Sequence, residues 1–238
     1  MESPARRRVL QLSASGLVVV AAGTMLTACG KEPDSKEVLA VEDMMREHGL
    51  LRRALLVYAE AASRLRAGQG NVPADQLAKT ADIFRKFGEE YHERQLEEAH
   101  VFPAVAKAGG AVGALPAVLK AQHDRGREIT DYITAVTRTG QIPTADGLPL
   151  AGTLESFVRM YQHHAAIEDT LVFPAWKNTL SSKEYDHLSD EFEDLETKSV
   201  GKDGFENYLK QMATIEQAFG IADLSTLTPP APPQPAAT

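Results

Sequence analysis

The feature that most constrains the fold is an internal duplication. Glu97-Glu98-Ala99-His100-Val101-Phe102-Pro103-Ala104 and Glu168-Asp169-Thr170-Leu171-Val172-Phe173-Pro174-Ala175 align in register, acidic pair on acidic pair and VFPA on VFPA. Upstream of each copy, His48 in Arg46-Glu47-His48-Gly49 is mirrored by His123 in Ala121-Gln122-His123-Asp124. A chain that repeats one unit in this way builds its core from two similar halves. The pattern inside each half is helical. From Lys36 to about Ala67, Leu39, Met44, Leu51, Leu55, Tyr58 and Ala62 recur at helical spacing.

Further helical patterns run from Ala74 to about Lys107, from about Ala114 to Thr139 and from about Leu150 to Leu180, the last following an expected loop at Gly140 to Pro149. Ser181 and Ser182 can cap a shorter fifth helix through about Leu195, and a sixth spans about Gly204 to Phe219. Few β-branched and aromatic residues are available for strands. The expected fold class is therefore all-α, an up-down-up-down four-helix bundle over 38–180, with two shorter C-terminal helices over 181–224 and a disordered Pro-rich tail over 225–238.

Composition removes several functions. A single cysteine permits no internal disulfide, no thiolate zinc site and no iron–sulfur cluster. A net charge of -8 disfavours nucleic acid as a partner, since affinity for phosphates comes from clustered Lys and Arg. The N-terminus reads as an address. Arg6-Arg7-Arg8 precedes an uncharged run from Val9 to Ala28 that ends in Leu26-Thr27-Ala28-Cys29. The arginines look like a twin-arginine signal and the last four residues resemble the bacterial lipobox. That resemblance implies a signal peptide over 1–28, lipidation of Cys29, a linker over 29–37, and a mature protein anchored to a membrane of the bacterial envelope by lipid.

The histidines carry the chemistry. Counted along antiparallel helices at about 1.5 Å per residue, His48, His92, His123 and His164 fall roughly 14 to 24 Å from the same end of the bundle. One imidazole per helix at one depth is what a metal site inside a bundle requires. Glu168 follows His164 by four residues, so both side chains reach one centre, and Glu97 holds the equivalent place in the second helix. Imidazoles with carboxylates form a mixed nitrogen and oxygen set that suits iron or manganese.

On these residues, with Phe102-Pro103 and Phe173-Pro174 at fixed spacing behind the acidic pairs, the chain resembles the hemerythrin-like family, the HHE cation-binding domain, over roughly Val38 to Thr179. The resemblance implies a non-haem di-iron centre with His48, His92, His123 and His164 as terminal ligands, Glu97 and Glu168 bridging two Fe ions, and an oxo or hydroxo bridge. The first reading of such a centre is binding or sensing of O2 or another small diatomic ligand, or iron handling, without an enzymatic role. A di-iron oxidoreductase acting on peroxide or a nitrogen oxide is the alternative, with Tyr91 or Tyr161 near the ligands, and a metal-free helical scaffold is a third reading.

One spacing departs from the pattern. His92 precedes Glu97 by five residues, about 140° around an α-helix, and the position matching His164 is Glu93. Glu93 is thus an additional or alternative ligand, His163 could replace or assist His164, and His100 could add a fifth imidazole. His187, on the fifth helix, is expected to be exposed.

Overall fold

In a computed structural model of the protein, residues 38–68 and 72–234 are described, and they form six helices with no strand among them. The expected signal peptide, Cys29 and the linker lie outside the described residues. Helix α1 spans Ala40–Arg66. Helix α2 is continuous through three windings, Ala74–Ile83, Phe84–Val101 and Phe102–Ala108, the middle one a π-helix. It stops at Gly109 and Gly110, whose φ of 75° and 69° is left-handed backbone that side chains with a Cβ resist. Helix α3 (Leu115–Thr137) follows, and then α4, wound as Thr144–Ile167, a π turn at Glu168–Val172, and Phe173–Lys177. Helices α5 (Ser182–Val200) and α6 (Gly204–Ala218) complete the set. None of the described helices is long and apolar enough to cross a membrane.

Side-chain pairs fix the topology. His48 early in α1 meets His92 late in α2, whereas Tyr58, further along α1, packs on Phe84 near the start of α2. Arg85 pairs with Asp131 while Glu98 meets His123, and the space beside Gly126 is filled by Tyr161 while His123 meets His164. Each consecutive pair is antiparallel, so the order is up-down-up-down as expected.

The fourth helix corrects the sequence reading. It starts at Thr144, inside the segment expected to be a loop, and carries Pro149 internally. Proline removes one backbone hydrogen bond, but here the loss falls near the helix start, directly before Leu150 and Ala151, which are completely buried. Burial of that size, about 1.5–3 kcal/mol for a leucine, outweighs one net hydrogen bond of about 0.5–1.5 kcal/mol.

The C-terminal pair clasps the bundle. Ser181 caps α5, accepting from the Glu184 amide while Glu184 accepts from the Ser181 amide at 2.8 Å. In turn α5 caps α1, which has no side-chain cap of its own: the Ala40 amide donates to Ser189 Oγ at 3.1 Å and the Val41 amide to Tyr185 Oη at 3.0 Å. Trp176 at the end of α4 stacks on Phe192 of α5, and α6 is tied to α1 by Arg53 donating to Glu216 at 2.7 and 2.5 Å.

Candidate metal centre

The Phe-Pro dipeptides shape the helices at the centre. In an α-helix the ring of Pro103 would clash with the carbonyl four residues back, and a proline has no N–H to return there. The chain widens instead. The Phe102 amide donates to the Glu97 carbonyl and the Phe173 amide to the Glu168 carbonyl, both five residues back. A turn closed in this way takes more than four residues, so a side chain five positions on returns to nearly the same face. That resolves the 140° departure: His92 and Glu97 do share a face, with Nε2 3.2 Å from Oε1.

Two imidazole pairs result. His48 and His92 bring their Nε2 atoms to 3.0 Å, and His123 and His164 do the same. Glu97 lies between the pairs, with Oε1 3.2 Å from His92 and 3.7 Å from His48, and Oε2 3.3 Å from His123. Glu168 also faces both, at 3.0 Å from His164, 3.5 Å from His48 and 3.9 Å from His123. All six are buried. Phe173 stacks on His48 and Phe102 on His123, each at 5.3 Å between ring centres, so the dipeptides that widen the helices also wall the centre.

Behind each imidazole stands an oxygen acceptor. His92 Nδ1 lies 2.6 Å from Glu47, His48 Nδ1 2.7 Å from Asp169, His123 Nδ1 3.0 Å from Glu98 and His164 Nδ1 2.8 Å from Gln122. Each acceptor sits beside a member of the inner set in sequence: Glu47 before His48, Gln122 before His123, Glu98 after Glu97, Asp169 after Glu168. An oxygen on Nδ1 holds the proton there and turns the Nε2 lone pair inward.

This arrangement fits cations. Both oxygens of Glu97 and of Glu168 are buried without a hydrogen-bond partner among the described residues, and two inward lone pairs face each other at 3.0 Å in each imidazole pair. Buried carboxylates and opposed lone pairs repel unless positive charge lies among them. Donors of Glu97, His123, His164 and Glu168 lie within 4.8 Å of one another, as do those of His48, His92 and Glu97, giving two positions that share a carboxylate.

Without metal, protons take that place. Burial disfavours charge on His92 and His123, yet the carboxylates outweigh it: Glu97 and Glu47 hold His92 well above the usual histidine range, and Glu93, Glu97 and Glu98 lift His123 to about 10. His164 is pushed down to about 3 by burial and by the charge on His123, so in that pair the proton stays on His123. Burial, reinforced by the charge on Glu97, raises Glu168 to about 8, whereas His92 and His123 overcome burial to hold Glu97 well below the carboxylate range. Metal uptake near neutral pH is therefore expected to release about two to three protons per chain, with affinity rising as pH rises. Calorimetry in buffers of different ionisation enthalpy measures this, and a buffer-independent heat would contradict it. In the metal-free protein, the contribution of His123 to stability is complete below its ordinary pKa of 6.5 and lost as pH rises through about 10.

The remaining expected residues lie elsewhere. Glu93 is buried but bonds Arg127 at 2.9 Å and stands 3.9 Å from His123 Nδ1, on the outer side of that ring. His163 and His187 are exposed, and His100 packs on Phe192 at 5.2 Å. Tyr161 lies against His164 with its hydroxyl buried, and Tyr91 donates to Glu47 at 2.8 Å. The sequence reading missed Glu47, Glu98, Gln122 and Asp169 as supports of the imidazoles. Their signal was adjacency: each flanks an inner residue in both copies of the duplication.

Residues 39–177 match the hemerythrin HHE cation binding domain. Three mycobacterial proteins resemble the whole chain: uncharacterized protein Rv1995 and uncharacterized protein MT2051 of two Mycobacterium tuberculosis strains, and uncharacterized protein Mb2018 of Mycobacterium bovis. Each is 39% identical over 240 residues, covering 94% of this chain and 91% of the relative. No solved structure matches.

Proposed function

The chain belongs to the hemerythrin HHE cation-binding family, and from that premise we propose that it holds two iron ions between α1, α2, α3 and α4 and binds O2 or another small diatomic molecule there. The observation that carries this reading is the pair of facing imidazole couples with two otherwise unpartnered buried carboxylates between them. Six nitrogen and oxygen donors without a thiolate suit iron better than zinc, which takes fewer ligands. Iron held in this way supplies a redox-active site at which a diatomic molecule can bind. His48 and His92 would serve one ion, His123 and His164 the other, and Glu97 and Glu168 would bridge them.

The two tyrosines near the centre differ in their engagement. Burial and the neighbouring Glu47 charge hold the Tyr91 hydroxyl well above its usual pKa, and its proton is already engaged by Glu47. Tyr161 sits in an aromatic group with Phe84 and Phe157, and its hydroxyl has no proton acceptor among the described residues.

Purified protein should contain two iron ions per chain and show a visible absorption band that is lost on deoxygenation after reduction and restored by O2. Sustained consumption of hydrogen peroxide would move the protein to the oxidoreductase reading, and a colourless, metal-free protein to the scaffold reading. We infer further, from Arg6-Arg7-Arg8 and Leu26-Thr27-Ala28-Cys29, export to the bacterial envelope and anchoring through lipid on Cys29. Cys29→Ser should shift the protein out of the membrane fraction; retention would point to an uncleaved N-terminal helix.

A further inference from the structure

The two halves of the centre differ at one support. At the first position, His48 is backed by Asp169, which Arg52 neutralises, and at the second His123 is backed by Glu98, which Arg127 neutralises. Both of these supports are carboxylates paired with an arginine, with Glu93 a further 3.9 Å from His123 Nδ1 and itself bonded to Arg127. The other two differ in charge: His92 is backed by the carboxylate of Glu47, but His164 by the neutral amide of Gln122. Among the described residues no lysine or arginine pairs with Glu47; its partner besides His92 is the Tyr91 hydroxyl, and donor oxygens of Asp43 and Glu196 lie within 4.8 Å of its own. Gln122 brings no charge.

Given the two-ion reading above, on which this inference rests, we propose that the two ion positions are unequal, the His48–His92 position being the tighter because Glu47 charges the support of His92 where Gln122 leaves that of His164 neutral. The inner donors do not favour the first position: Glu97, His123, His164 and Glu168 converge within 4.8 Å at the second, and His48, His92 and Glu97 at the first. Each position has two imidazoles and one oxygen of Glu97, while Glu168 Oε2 stands 3.0 Å from His164 and 3.5 Å from His48, so the charged support of His92 has to outweigh the longer reach of Glu168 to its position. A carboxylate on Nδ1 draws the proton from the ring and makes Nε2 a stronger donor, and changes to such supports alter metal affinity by about 10–100-fold. Glu47 is thus a positioning residue that also sets ligand strength. Gln122 positions its ring without adding that strength. The two ions would enter in order, the first beside His92.

Stepwise Co2+ binding to metal-free full-length protein, followed by calorimetry, tests this on Glu47→Gln, Gln122→Glu and the double exchange. Both single variants make the supports alike, by opposite routes. Glu47→Gln should weaken the first step by roughly tenfold or more and leave the second; Gln122→Glu should strengthen the second by a similar factor and leave the first. The gap between steps closes in both, and the double exchange reopens it. Repulsion between the two ions is common to all four proteins, so differences among them report the supports. Circular dichroism of each metal-free variant checks that the bundle is intact, and because the two single changes act in opposite directions, a general loss of fold cannot mimic both. Two bound ions with the gap unchanged, or a weakened second step in Glu47→Gln, would overturn the inequality while leaving the two-ion centre standing. Fewer than two Co2+ ions bound by the unaltered protein would overturn both.

Discussion

Glu97→Gln is expected to weaken metal binding by at least about 100-fold at both positions, beyond the effect of losing any one outer support. Glu97 is the carboxylate that reaches the first position through Oε1 and the second through Oε2, at 3.2 Å from His92 and 3.3 Å from His123. The amide keeps the volume, so packing around the fully buried side chain is preserved. What is lost is one negative charge between two cations, and the amide presents a hydrogen donor to one of them. In the metal-free protein the same change removes the charge that helps lift His92 and His123, so their protons should be released at lower pH. Metal analysis after dialysis, with titration of the metal-free form, reads both effects. His187→Ala, at an exposed site on α5, serves as control and should load metal normally; equal loss in the two variants would refute the ligand set.

Trp176→Ala is expected to cost about 3–5 kcal/mol of stability, the range for removing a large aromatic side chain from a packed core. A domain of ordinary stability has only about 5–15 kcal/mol in total. Trp176 is 1% exposed, lies parallel to Phe192 at 5.5 Å and meets Tyr185 edge-on at 6.1 Å. Those partners belong to α5, which supplies the caps of Ala40 and Val41. The damage should therefore travel to the start of α1, the helix that carries Glu47 and His48. Chemical denaturation gives the magnitude, and hydrogen exchange at the Ala40 and Val41 amides gives the location. A loss below about 1 kcal/mol with those amides still protected would mean that α5 docks independently of the tryptophan.

The bundle was legible because its signals are local and repeated. Apolar spacing marked each helix, Gly109-Gly110 marked an end, and Ser181 marked a start. Pro149 misled because a proline is read as a boundary wherever it stands, whereas the burial of Leu150 and Ala151 that overrides it depends on a partner helix far away in sequence. The five-residue interval from His92 to Glu97 read as a mismatch for a related reason: angular arithmetic presumes α-winding. The dipeptide Phe102-Pro103, present in the sequence, was noted as part of a pattern and not as the end of a π-wound stretch that begins at Phe84.

Residue types and their intervals by themselves determined six helices, a duplicated core and one histidine at matching depth on each of four helices, because periodicity and chain length fix what a helix buries and how far along it lies. Only the packed structure decided which imidazoles face each other, that both inner carboxylates span the two pairs, and that Glu47, Asp169, Glu98 and Gln122 stand behind them. Those are contacts between side chains on different helices, up to 121 residues apart, and they are set by the rotation of each helix about its axis, which a one-dimensional pattern leaves open.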